Sequence, residues 1–349
     1  MSVARFRGGV ERLSDPTPRM MTPTRISYGV LALTILVVAV FHLGPALLML
    51  LFSYFALRQL YSATRRKWIS LVLFLILLFG IATAAVFFTR AAIHALPEMA
   101  DTSIPSASAW AQKRQIELPF TDFDSLRAVI VDELKQEAHY LQSVAHFAGS
   151  TVTVLLLSII AIVIACSLFL KADFNIDPTR PGAPNNLYFS CAAEISSRFR
   201  DFYNSFATVM GAQITISLIN TALTGIFVIV VQLPHAALLI ATTFLCGLVP
   251  IVGNLVSNTI ITFVSLSVSL KLAIAALVFL VVVHKLEYFL NSKIIGQRIR
   301  NPVWLTLIAL VIGERLMGIP GLVLAPVVLN YLRVEMMKVE VPASESSAV

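Results

Sequence analysis

Charge is scarce in this chain. Asp, Glu, Lys and Arg make up 13% of its 349 residues, while 58% are hydrophobic. A soluble domain carries about twice that charge, so a soluble core under a polar surface is excluded and a polytopic α-helical membrane protein is expected. Cysteine is scarce too. Cys166, Cys191 and Cys246 have no paired spacing, which argues against a disulfide framework or a cysteine zinc site. They read as small hydrophobes. No Gly-Lys-Ser/Thr phosphate loop is present, which argues against ATP-driven pumping within this chain. The six histidines are scattered with no His-Glu-x-x-His pair, and no Gly-x-Ser-x-Gly nucleophile elbow occurs. The expectation is a non-enzyme with no catalytic residues, metal or cofactor.

The net charge of +7 does not point to nucleic acid. The basic residues flank apolar segments, as topology determinants do. Arg5, Arg7, Arg12, Arg19 and Arg25 precede the first apolar run, which continues through His42 and Gly44-Pro45. That continuity predicts an uncleaved first span.

About 20 apolar residues cross a bilayer. The runs Ile26–Leu43, Ala46–Leu60, Trp68–Ile93, Phe147–Leu170 and Phe206–Val231 are candidates, followed by Ala236–Val252, Leu255–Leu270 and Leu272–Leu290. The last run, Pro302–Leu332, is divided by Gly313, Gly318, Pro320 and Gly321 and reads as a re-entrant or broken hairpin. The fold class is all-α: a transmembrane bundle of about eight spans with broken or re-entrant helices in its C-terminal half. Arg58, Arg65, Arg66 and Lys67 then fall on the same side as Lys285, Lys293, Arg298, Arg300, Arg333 and Lys338, which predicts cytoplasmic termini.

The organisation that follows is a tail at 1–25, transmembrane helices at 26–93 and an extracytoplasmic amphipathic segment at 94–146. A span at 147–171 comes next, with a cytoplasmic loop and interfacial helix at 172–205. A transport core at 206–333 and a tail at 334–349 complete it. In the external segment Leu126, Val129, Ile130, Val131, Leu134, Tyr140 and Leu141 recur at helical intervals between acidic residues. In the interfacial one, Glu194, Arg198, Arg200 and Asp201 form the charged face.

The main functional signal lies between Ala236 and Tyr331, where Gly, Pro and Asn interrupt an apolar stretch at Val249–Asn254, Leu286–Gly296 and Gly313–Gly321. Breaking a helix in lipid strands backbone groups at several kcal/mol each, so breaks persist where protein or a cavity solvates them. Transporters place binding sites there. Pro250 and Gly253 open the helix, and Asn254 and Asn258 follow four apart on one face. Glu287 is an ionisable group inside a span; it is either a proton, cation or solute site or the partner of a nearby Lys285. Gln213, Ser217 and Asn220 make a polar stripe that either lines a path or glues two helices. Glu314-Arg315 is a gate or a solvated pair.

The stretch from about Leu187 onward resembles the autoinducer-2 exporter family of bacterial inner-membrane permeases. Val249-Pro250-Ile251-Val252-Gly253 is similar to that family's Pro-x-x-Gly break. Glu287, Leu290, Lys293, Ile294 and Gly296 fall on its Glu-x-x-Leu and Lys-Ile-x-Gly pattern, with Pro302 following. Gly313, Gly318, Gly321 and Pro326 match its closing hairpin. Asn254 and Ser292 stand where the family commonly has prolines. The resemblance implies a homo-oligomeric secondary permease in the inner membrane, with members linked to quorum-signal export and to sodium/proton exchange.

Together these readings give a secondary transporter of a small polar solute. The alternatives are a sodium/proton antiporter on the same fold and, in another class, a non-transporting membrane scaffold. Expected pathway residues are Gln213, Asn220, Pro250, Gly253, Asn254, Asn258, Glu287, Asn291, Lys293 and Glu314. Expected hinges are Gly296, Gly313, Gly318 and Gly321. The expected partners are the lipid bilayer, the solute or ion and further copies of the chain; the candidate coupling ion is a proton or sodium.

Overall fold

The computed structural model describes residues 22–112, 115, 139–171, 186–250, 252–294 and 302–338. Every regular element among them is helical, as a bilayer demands of chains that must satisfy their own backbone. In order they are α1 (Thr22–Val40), α2 (Gly44–Thr64), α3 (Lys67–Gln112), α4 (His139–Lys171) and α5 (Leu187–Val230). Then come α6 (Ala236–Gly247), α7 (Val252–Val268), α8 (Leu270–Ile294), α9 (Val303–Met317) and α10 (Ile319–Met336). Six described segments are long and apolar enough to cross a membrane: Pro23–Val40, Gly44–Thr64, Lys67–Ala95, Val152–Lys171, Leu187–Val230 and Ile319–Met336. Their outer faces are apolar and uncovered, as at Ile76, Phe79 and Phe87.

Two expected spans take a different form. At 1.5 Å per residue α6 measures about 18 Å and α7 about 25 Å, each short of the roughly 30 Å hydrocarbon core. They fold back on each other as a broken hairpin. Two other helices are longer than expected. The 46 residues of α3 run straight through Ile93, and the 44 residues of α5 join the expected interfacial helix to the span without a stop. Each therefore extends about 65–70 Å, beyond the membrane. Leu126 to Leu134 of the expected amphipathic segment lie outside the described residues.

Local chemistry fixes several ends. The Asn186 side chain caps α5 by accepting the Phe189 N–H at 2.8 Å. Pro45 and Pro320 occupy the first turns of α2 and α10, where a missing N–H costs nothing. Gly318, at φ 65°, reverses the chain between α9 and α10, a conformation side chains disfavour. Pro326 lies within α10, which continues through it.

Glycines let the legs of both hairpins touch. A Cβ at Gly321 would overlap the Gly313 carbonyl oxygen, and one at Gly313 would sit 2.5 Å from the Gly321 carbonyl oxygen. A Cβ at Gly253 would likewise overlap the Cys246 carbonyl oxygen. Gly44, at the α1–α2 turn, packs on Met317 and Pro320, while Tyr28 near the start of α1 reaches Glu335 near the end of α10. The start of α10 therefore lies by the α1–α2 turn and its end by the start of α1.

Three apolar clusters bind the bundle. Val228, Leu233, Leu239, Ile261, Val264, Ala276 and Leu280 join α5, α6, α7 and α8. Leu51, Phe206, Met210, Val323, Leu324 and Val327 join α2, α5 and α10, and Val249 and Met317 of the two hairpin turns both pack against this cluster. Leu57, Phe74 and Phe169 lock α2, α3 and α4 together.

Candidate functional site

Glu287 sits on α8 with its side chain 12% exposed, where a lone carboxylate would be costly to desolvate. Two amides compensate it. Asn254, in the first turn of α7, donates its Nδ2 to Glu287 Oε2 at 2.5 Å. Asn220, on α5, donates to the same oxygen at 3.1 Å. His284, one turn earlier on α8 and 66% exposed, places Nδ1 3.9 Å from that oxygen. Three helices thus converge on one carboxylate beside the α6–α7 break.

The junction is unsaturated. Asn220 Oδ1 and, next in sequence, Thr221 Oγ1 are buried without a hydrogen-bond partner among the described residues. Orphaned buried oxygens are uncommon in folded proteins, and each calls for an explanation. The Asn220 oxygen belongs to an amide that already bonds Glu287, so beside the carboxylate the site offers a further oxygen lone pair. That chemistry suits a cation or a hydroxyl-rich solute and repels anions. Among the described residues no group of His, Cys, Asp and Glu is arranged to hold a metal ion.

The break itself is satisfied by side chains. Gln213 Nε2 donates to the Gly247 carbonyl at 2.7 Å and Ser217 Oγ to the Phe244 carbonyl at 2.8 Å. A Cβ on Gly247 would meet Ser217 Oγ at 2.5 Å, so glycine is what lets α6 end against α5. Gln213 and Ser217 therefore act as glue for the carbonyls that the break strands. Pro250 stands half-buried in the turn, and Gly253 is buried against the Cys246 carbonyl.

The remaining expected residues divide plainly. Asn258, half-buried one turn after Asn254, is not one of the amides that reach Glu287. Asn291 and Lys293 lie on the same helix beyond Glu287, with side chains outside the described residues, as is Gly296. Glu314 is 53% exposed and 4.0 Å from the 85% exposed Arg315, away from the junction. Gly313, Gly318 and Gly321 shape the last hairpin rather than contact Glu287.

A second polar centre lies on α5 about 33 Å from Asn220 at helical rise. Arg198 and Glu335, 7% and 8% exposed, pair at 2.8 Å. Arg198 also bonds Ser27 Oγ at 2.6 Å and Glu194 at 3.2 Å, and its guanidinium lies 3.7 Å from the Tyr28 ring centroid. Lys338 joins Glu335 at 3.0 Å and Asp201 at 2.7 Å. Partial burial opposes the charge on Lys338, yet its hydrogen bonds to Asp201 and Glu335 hold its pKa above the usual lysine value. This knot ties the starts of α1 and α5 to the end of α10. The i,i+4 spacing of Glu194 and Arg198 was visible in the sequence; Glu335, 137 residues away, gave no signal there.

Long apolar helices, two hairpins broken by glycine and proline, and a compensated buried carboxylate beside one break define a polytopic membrane transporter. Residues 29–337 match the family described as AI-2E family transporter, and the chain belongs to that family. It is also similar to a Bacillus subtilis (strain 168) protein named "Putative transport protein YdbI", at 28% identity over 133 residues. That stretch is 38% of this chain and 38% of the relative.

Proposed function

We propose that this chain is a secondary permease of the inner membrane that moves a small polar solute by alternating access, with Glu287 carrying the coupling charge. The observation that carries this reading is the convergence of Asn220 and Asn254 on Glu287 beside the α6–α7 break. A broken helix persists where its backbone is resatisfied, and Gln213 and Ser217 do that here. The three side chains are thereby left free to bond one another within the bundle. The basic flanks favour cytoplasmic termini, and the resemblance to autoinducer-2 exporters favours export by a homo-oligomer without enzymatic activity.

A second reading has its own support. The unpartnered Asn220 Oδ1, on an amide bonded to the Glu287 carboxylate, adds an oxygen donor of the kind a sodium ion prefers, which favours sodium/proton exchange. The deciding experiment uses Glu287→Gln, which keeps the shape and the donors' partner but removes the charge. It is expected to remain folded and monodisperse while gradient-coupled flux in proteoliposomes is abolished. Unchanged flux removes Glu287 from the mechanism.

A further inference from the structure

We propose that the corner where α2 ends, α3 begins and α4 ends is a binding site for anionic phospholipid headgroups. The sequence from Gly44 to Pro97 contains no Asp or Glu, yet Arg65, Arg66 and Lys67 fill the α2–α3 connection and all are exposed. Arg65 is held with left-handed backbone, φ 57°, its N–H donating to the Tyr61 carbonyl. Lys67 Nζ donates to the Leu170 carbonyl at 3.0 Å, which brings exposed Lys171, the last residue of α4, beside this connection. Four cations therefore meet at one corner, and none takes part in an ion pair among the described residues.

The corner is rigid and lies at the membrane surface. Leu57, Phe74 and Phe169 pack its three helices together, Tyr61 stacks edge-on against Phe169 at 5.8 Å, and Thr64 Oγ1 bonds Ser70 Oγ at 2.8 Å. Trp68 follows at once, 74% exposed in the first turn of α3, with the lipid-facing run of that helix beyond it. Tryptophan at such a place marks the headgroup level. Unpaired cations held there attract anionic lipid by about 1 kcal/mol each. A phosphatidylglycerol phosphate would be drawn to the basic cluster while its chains lie along α3.

The test reads Trp68 directly. The chain has three tryptophans, so the full-length protein carrying Trp110→Phe and Trp304→Phe leaves Trp68 as the only reporter. It is reconstituted in vesicles containing brominated phosphatidylglycerol or brominated phosphatidylcholine, and quenching is titrated. The expected result is half-maximal quenching by brominated phosphatidylglycerol at a roughly threefold or more lower mole fraction. The preference should disappear in Arg65→Gln/Arg66→Gln/Lys171→Gln and survive in Arg65→Lys/Arg66→Lys. In the unsubstituted corner it should also fade as sodium chloride rises from about 50 mM to about 0.5 M, a reading that needs no variant to fold. Equal quenching by the two lipids overturns the proposal, as does a preference that persists after neutralisation. Displacement of phosphatidylglycerol by inorganic phosphate beyond that by sodium chloride of equal ionic strength would assign the site to free phosphate and overturn it too.

Discussion

At the residue scale the chain places its buried charges in two settings with different consequences. Glu287 has amide donors from two other helices, one of which, Asn220, keeps an unpartnered oxygen; on the proposed function these are the partners a solute replaces. Hydrogen bonds to a charged group contribute about 1.5–3 kcal/mol each. Asn254→Ala is therefore expected to lower solute affinity by tenfold or more while the protein stays folded, read as a rise in the half-saturating concentration for flux. Unaltered affinity would leave Asn254 a structural amide.

Arg198 and Glu335 are the opposite case, closed by their own partners. Removing one member of a buried pair costs about 3–5 kcal/mol, whereas replacing both by apolar groups is near neutral. Arg198→Ala alone should sharply lower the unfolding temperature in detergent, and Arg198→Met/Glu335→Leu should recover most of it. A double variant as unstable as the single one would show that the knot does more than pair charges. Its neighbour Lys338 has a raised pKa, so its contribution is complete below the ordinary lysine value of 10.5 and is lost as pH rises through the raised one. Lys338→Met should remove that alkaline loss from the pH dependence of thermal stability. The single residues of the Glu287 junction were legible in the sequence; their meeting was not, because 33 and 67 residues separate Glu287 from its two donors.

At the scale of elements, the broken hairpins depend on backbone contact that only glycine permits. Gly321→Ala must part α9 from α10, since the new methyl group overlaps the Gly313 carbonyl. Overpacking of this kind costs about 1–3 kcal/mol, so a drop of several degrees in unfolding temperature is expected; a thermal curve like the parent's would show that the legs separate freely. The positions of the breaks at Val249–Asn254 and Gly313–Gly321 followed from Gly and Pro standing in an apolar run. The interruption expected at Leu286–Gly296 is absent as far as Ile294, because α8 runs unbroken through Leu286 to that residue. The lengths of the hairpin legs did not follow from that pattern. Hydropathy is uniform from Ala236 onward, so the sequence suggested two crossings where α6, with only 12 residues, is too short to cross and packs against α7. The unbroken courses of α3 and α5 were hidden for the converse reason: charged residues after Ile93 and before Phe206 mark where a helix leaves lipid, and a helix continues in water without a break in its hydrogen bonding.

For the whole molecule, the two polar centres lie far apart on one helix, α5, which touches α1, α6, α8 and α10. The knot fixes one end of that helix to the second, more buried leg of the last hairpin, and the Glu287 junction lies toward the other end beside the first hairpin. Both hairpin turns rest on the apolar cluster between these centres. On the proposed mechanism the charge sits at the junction that opens and the anchor at the knot that stays closed. The most direct test is flux in proteoliposomes holding the parent or Glu287→Gln, with an internal pH dye and a labelled autoinducer-like sugar under an imposed sodium gradient. Protein-dependent movement of the sugar or of protons in the parent, lost in Glu287→Gln, is the predicted result. Equal movement in the two proteins, or none above protein-free vesicles in either, would contradict it.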